Sequence, residues 1–389
     1  MLKNVILALI LVFQLGIWFV RDSPFDTEQA RSEELDQHGL ADVPLEQIAV
    51  VKYRDPRGEE VTLARRDGMW VVEDLHGFPA IQDKVSSAVA SLGGLAKSDF
   101  RSSKRIMHEN FEVTDENSQR LTVLAEDRSE LTTIVIGKRD VQGSQGTFIR
   151  LADADDVFVS QSQELASAFS ADPYSWINRQ MFDLELQDRE RLMQLRADCY
   201  RIEIEGQEEM KDDKFQSFDP PRFRFIRYVF ERVQPTKDGE EVYWDVLEPK
   251  RGFEDLELQD QLLTSILQTY LSVQARAIVA AAPKPEHKIV DPSEYRLKVI
   301  TRFREGEGDL RVETSRELVI GAPFDLEGKT VPNSGNLVHA KVSFPGNDRK
   351  QEFVFATVGT YPGIFLRDPK LLARQPKPPK KPGPPKLPK

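Results

Sequence analysis

The chain has 389 residues, enough for two domains that each bury a core. Hydrophobic residues make up 40% and charged residues 30%, the balance of a folded protein, and a net charge of −11 argues against nucleic acid as a partner of the body. A single cysteine, Cys199, excludes an intramolecular disulfide and a lipoprotein attachment near the N-terminus.

The chain opens with a short start carrying Lys3, then Val5 to Val20, 16 residues of which only Gln14 is polar. As a helix this run would be about 24 Å long, close to the hydrocarbon thickness of a bilayer. Trp18 and Phe19 end it, where aromatic rings favour a membrane interface. The following W-F-V-R-D-S-P-F-D lacks the small residues of a cleavage site, so an uncleaved signal anchor is expected. Lys3 and the amino group precede the span, which places the N-terminus in the cytoplasm and the body outside. Residues 1–20 are therefore read as a single-pass anchor that partners the lipid bilayer through residues 5–20. Residues 21–42 are polar and acidic, a linker.

A first unit is expected over 43–185. Ile48 to Tyr53 and Val61 to Ala64 read as strands joined by D-P-R-G-E, and Met69 to Val72 continues the sheet. Ile81, Val85, Ala88, Val89 and Leu92 have helical spacing, with Gly93-Gly94 as the stop. Strands resume at Leu121 to Leu124, Leu131 to Ile136, Thr147 to Leu151 and Val157 to Ser160, with a short helix over Gln163 to Phe169.

A second unit is expected over 186–372 and repeats the scheme. M-W-V-V-E around Trp70 returns as Y-W-D-V-L around Trp244, and I-V-I-G ending at Gly137 returns as L-V-I-G ending at Gly321. The Q-D-K-V of the first helix returns as Q-D-Q-L. The offsets are 244−70 = 174, 260−83 = 177 and 321−137 = 184, near-constant and in order. Strands are expected at Tyr200 to Ile204, Phe223 to Glu231, Val242 to Leu247, Tyr295 to Phe303, Glu317 to Ile320, Leu337 to Phe344 and Glu352 to Ala356. The helix carries Leu258, Leu262, Leu263, Ile266, Leu267, Tyr270 and Leu271. Strands dominate and short turns link them. The fold class is α+β: two tandem similar domains, each a mainly antiparallel sheet with one principal helix, behind a transmembrane helix.

Residues 373–389 form a Lys/Pro-rich tail. From Arg374 to Lys389 there are five Lys, one Arg and seven Pro without an acid, so this stretch carries +6 and the remainder −17. Proline cannot join a sheet ladder, so the tail is expected extended and solvated. A second reading of the tail is electrostatic contact with anionic lipid, wall polymer or the acidic body.

No residue pattern specifies a reaction. His38, His76, His108, His287 and His339 lack metal-ligand spacing and are each read as surface or loop residues. Asp153, Asp155 and Asp156 with Glu164 imitate a calcium loop, but Val157 and Phe158 stand where a ligand and a glycine are needed, so a hairpin turn is expected. Cys199 reads as a packed thiol in a strand, and Trp70 and Trp244 as core residues. Gly143 and Gly146 lack the strand-to-helix context of a phosphate loop, and Glu59-Glu60 and Glu240-Glu241 read as solvated turns. No catalytic, cofactor or metal residues are assigned.

The chain resembles the DUF4340 family of bacterial proteins, a domain of unknown function. The resemblance rests on W-V-V-E before the Ile81 to Leu92 helix, on T-I-V-I-G-K, on G-T-F-I-R-L-A-D-A-D-D-V-F-V-S and on Q-E-L-A-S-A-F. It covers Val43 to Asp183 best. The second unit departs by insertions such as Glu205 to Pro221, and N-F-E-V-T-D-E-N-S replaces a Gly-Leu…Pro element of the family. The resemblance implies a membrane-anchored extracytoplasmic component and an auxiliary role beside the permease subunits of a gliding-motility-type ABC transporter. The expected function is a non-catalytic binding or scaffold protein. The alternatives are an envelope structural protein and, third, an enzyme with a site between the units.

Overall fold

In a computed structural model, residues 45–366 and 370 are described, apart from 142–145, 161–164, 185–187, 211–215, 217, 221, 235–241, 250–256, 307–311 and 325–336. The apolar run at 5–20, the linker and the tail at 373–389 lie outside the described residues. Among the described residues no helix is long and apolar enough to cross a membrane. The chain divides into two compact units between Ile177 and Asn178.

The first unit holds β1 (Val50–Arg54), β2 (Glu60–Arg66), β3 (Met69–Val72), β4 (Phe78–Pro79), β5 (Asp99–Ser102), β6 (Gln119–Leu124), β7 (Glu130–Arg139), β8 (Thr147–Leu151) and β9 (Val157–Ser160). They form one nine-stranded sheet in the order β4-β3-β2-β1-β6-β7-β8-β9-β5, and each pairing is antiparallel. The principal helix α1 (Gln82–Ala90) buries Val85, Ala88 and Val89. Two one-turn helices follow, α2 (His108–Phe111) and α3 (Leu165–Ala168). Helix α1 starts after Ile81, which is 38% exposed and outside the helix. Its α-helical hydrogen bonding ends at Ala90, and Gly93 and Gly94 lie in the 3-10 turn Ser91–Lys97 that extends it.

The second unit opens with α4 (Arg189–Asp198), whose first turn is capped by the Asp188 carboxylate accepting from Arg191 N–H at 2.9 Å. Its strands are β10 (Cys199–Glu209), β11 (Phe223–Val233), β12 (Tyr243–Glu248), β13 (Glu257–Gln259), β14 (Ala277–Ala280), β15 (Leu297–Glu305), β16 (Val312–Phe324), β17 (Leu337–Ser343) and β18 (Val354–Val358). Their order is β13-β12-β11-β10-β15-β16-β17-β18-β14. Adding nine to each strand number of the first sheet reproduces this order without exception. Helix α5 (Asp260–Leu271) buries Leu263, Ile266, Leu267, Tyr270 and Leu271. Leu258 stands on β13, just before this helix rather than on its stripe, because that segment pairs with β12 as a sheet edge. Short helices α6 (Asp348–Gln351) and α7 (Tyr361–Phe365) complete the unit.

Trp70 and Trp244 occupy matching strands and are both buried. Gln82 on α1 accepts from Trp70 N–H and donates to its carbonyl, while Trp244 Nε1 donates to Asp260 on α5 at 2.9 Å. In each unit the Trp strand is thereby fastened to the start of the principal helix.

Candidate functional site

The repeated I-V-I-G and L-V-I-G have a common structural cause. Gly137 on β7 and Gly321 on β16 lie inside matching bulges, between Ile136 and Arg139 and between Ile320 and Pro323. Over each glycine runs a corner with a left-handed residue, Glu112 at φ 58° and Lys288 at φ 53°. A Cβ at Gly137 would meet Val113 Cγ1 at 2.7 Å and collide with the Phe111 carbonyl. A Cβ at Gly321 would meet Ile289 Cγ2 at 2.6 Å and collide with the His287 carbonyl. The glycines let the corner backbone lie directly on the sheet.

Beneath the corners, strand alternation puts Val135, Phe148, Arg150 and Val157 on one face of the first sheet. The matching face of the second carries Val319, His339, Lys341 and Val354. Val113 seals the first small core and Ile289 the second.

Each corner then stacks a ring on that face. In the first unit Phe111 packs on Phe148, with centroids 4.5 Å apart and planes at 30°. In the second, His287 packs on His339, with centroids 4.8 Å apart and planes also at 30°. The positions correspond, since Phe111 and His287 both precede the left-handed residue. Phe148 and His339 both follow the bulge partner by one residue along β8 and β17. One framework therefore holds two phenyl rings in one copy and two imidazoles in the other.

The imidazoles are held in defined states. His287 is 5% exposed, and its Nδ1 accepts from Lys284 N–H at 3.0 Å, which leaves the ring proton on Nε2. His339 Nδ1 lies 3.0 Å from the Ala322 carbonyl, to which it donates. Phe324 meets His339 edge-on with centroids 5.0 Å apart. Burial pushes the His287 pKa below its ordinary value, and His339 and Lys284 add to this, against Glu286. The expectation that every histidine is a surface or loop residue is corrected for His108, buried on α2, and for His339, half-buried on β17, while His287 lies in a loop corner as expected yet is buried. His287 and His108 are both 5% exposed, because each imidazole has a hydrogen-bond partner that makes burial tolerable. His76 is exposed, as expected, and His38 lies outside the described residues.

The first corner has a different fastening. Arg150, 2% exposed, donates to the carbonyls of Val113, Leu151, Ala152 and Ala154 and to Asp115. The D-A-D-D stretch is thus a hairpin turn in which the Ala154 carbonyl faces the guanidinium and the Asp155 carbonyl faces His108. Lys341 takes the Arg150 position in the second unit. Among the described residues no group of three or more His, Cys, Asp and Glu is placed to hold a metal ion. Cys199 is fully buried, and burial pushes its thiol up to about 12, an inert core group.

Residues 70–241 match the family model described as "Domain of unknown function (DUF4340)". The chain carries a DUF4340 domain match over these residues. The DUF4340 match starts at Trp70 inside the first sheet and continues past the unit boundary through β11, whereas the resemblance alone points to Val43 to Asp183. Its length is close to one repeat period, Trp70 to Trp244. Neither the curated proteins nor the solved structures contain a match to the chain.

The copies differ most in the first hairpin. β1 has 5 residues and β10 has 11. Pairing with β15 stops at Gly206 and with β12 at Val229, yet β10 and β11 continue to pair as far as Glu209 and Phe223. This arm exposes Phe223 by 50%, Phe225 by 58% and Met210 by 40%. With α7 it bounds a groove of about 740 Å³ lined by Met210, Phe223, Arg224, Arg296, Pro362 and Leu366. Sequence reasoning registered a strand at Phe223, and its signal for an arm was the length of the insertion.

Proposed function

We propose that this protein is a non-catalytic binding or scaffold module. The apolar run at residues 5–20 holds it at the membrane, with its body outside the cytoplasm, where it assists an ABC-type transport system. The observation that carries the reading is the extended β10–β11 arm. The units share their sheet order, buried Trp, bulge glycine and left-handed corner, and these shared features are structural. The second copy adds a protruding strand pair with exposed Phe223 and Phe225 beside a groove. Exposed aromatics bordered by arginine are the composition of a protein contact surface.

The test uses the full-length chain in native membranes, with a photo-crosslinker at Phe225. Recovery of permease subunits supports the reading. Recovery of the chain alone, or of lipid alone, contradicts it. Protease added outside intact spheroplasts tests the placement: digestion of both units is expected, and a protected body contradicts it.

A further inference from the structure

We propose that the His287–His339 stack is an acid-responsive fastening of the second unit, releasing the corner at Pro285–Asp291 from its sheet when the imidazoles take up protons. The first unit supplies the comparison. Phe111 and Phe148 show that the framework needs two stacked flat rings and needs no ring nitrogen. In the second copy both rings are imidazoles, whose nitrogens can take up a proton.

The surroundings fit neutral imidazoles. A proton on His287 Nδ1 would convert the acceptor of Lys284 N–H into a second donor, so the bond across the turn would be lost. A proton on His339 would enter at Nε2, since Nδ1 already donates to Ala322. Two cations would then face each other across 4.8 Å. The charged groups around His287 do not compensate. Lys284 is a cation on the same turn, and Glu286 is 63% exposed and lies 3.9 Å from the Lys284 amine. From β17 the group that faces it is His339, and β16 presents the Ala322 carbonyl and Phe324 to that ring. Lys341, a further cation, stands on β17 where Arg150 stands on β8.

Hydrogen exchange on the full-length chain in detergent tests this, after correction for the intrinsic pH dependence of exchange. Between about pH 7.5 and about pH 5, exchange over 284–291 should rise about tenfold, while 108–115 stays protected. The doubly substituted His287→Phe/His339→Phe chain should lose the response. His339→Phe alone should reduce it, which keeps the test independent of whether the double variant folds. Equal protection of both corners at both pH values in the unmodified chain overturns the proposal. So does a response that persists with two phenylalanines.

Discussion

His287 stacks on His339 in the second unit with the interplanar angle of 30° that Phe111 makes with Phe148 in the first. Geometry has been kept through the duplication while the chemistry has changed. The two copies therefore act as controls for one another.

That relationship has a sign in pH. The folded-state pKa of His287 is lowered by burial first and by His339 next. The unfolded chain then binds more protons than the folded chain below about pH 6.5. The stability contribution is complete above that value and is lost as pH falls toward the lowered pKa. Thermal melts should show the His287→Phe chain losing less stability than the unmodified chain between about pH 7 and pH 5. Parallel pH curves would contradict this.

The glycines give a steric prediction. Gly137→Ala and Gly321→Ala each place a methyl group against corner backbone. Each should cost about 1–3 kcal/mol, read by denaturant unfolding. Gly363→Ala, with nothing within 4 Å of its Cβ, is the control and should change little. A neutral Gly321→Ala would mean that the corner does not lie on the sheet.

Arg150 should matter more than any exposed arginine of the first unit. Arg150→Met leaves buried carbonyls without donors and should cost about 3–5 kcal/mol. Its hydrogen bond, opposed by burial, holds Asp115 below the usual carboxylate range. A depressed carboxylate stabilises above its unfolded pKa of about 3.9, and that contribution is lost as pH falls through the folded value. Asp115→Asn should flatten the acid limb of the melting curve. An unchanged limb would show that the pair contributes nothing to folding.

Lys350 is 4% exposed and donates to the Gln180 carbonyl at 2.8 Å and to Asp183, which also accepts from Asn347. These contacts tie the leading segment of the second unit, including Gln180 and Asp183, to α6. Met181 N–H and Phe182 reinforce the tie through the Val273 carbonyl and Tyr270. Lys350→Met should cost about 1–3 kcal/mol and speed exchange over 178–184. Unchanged exchange there would assign the tie to the aromatic contacts alone.

Much of the fold was legible because strands such as β12, β15 and β17 alternate in burial, while others such as β8 and β9 are short runs bounded by turn residues. Thr147–Leu151 and Val157–Ser160 match their expected bounds residue for residue. Short outer strands were harder. β5 and β14 have 4 residues each and pair with β9 and β18 at the far edge, a tertiary outcome without a local signal. Helix α4 escaped because R-E-R-L-M-Q-L-R-A-D buries only Leu192 and Leu195. The histidine pair was hidden by the 339−287 = 52 residues between its members. Aligning the copies on I-V-I-G and L-V-I-G does not reveal it, because Phe148 follows Gly137 by 148−137 = 11 residues and His339 follows Gly321 by 339−321 = 18, so the match emerges only from the strand register.

Phe223→Ser with Phe225→Ser separates binding from folding. Both rings are at least half exposed, so stability should move by no more than about 0.5 kcal/mol. The most direct test of the functional reading is therefore crosslinking of this double variant beside the unmodified chain in native membranes. Permease subunits should be captured by the unmodified chain and lost from a variant that melts normally. Capture undiminished in the variant, or absent from both, would contradict a binding role for the arm.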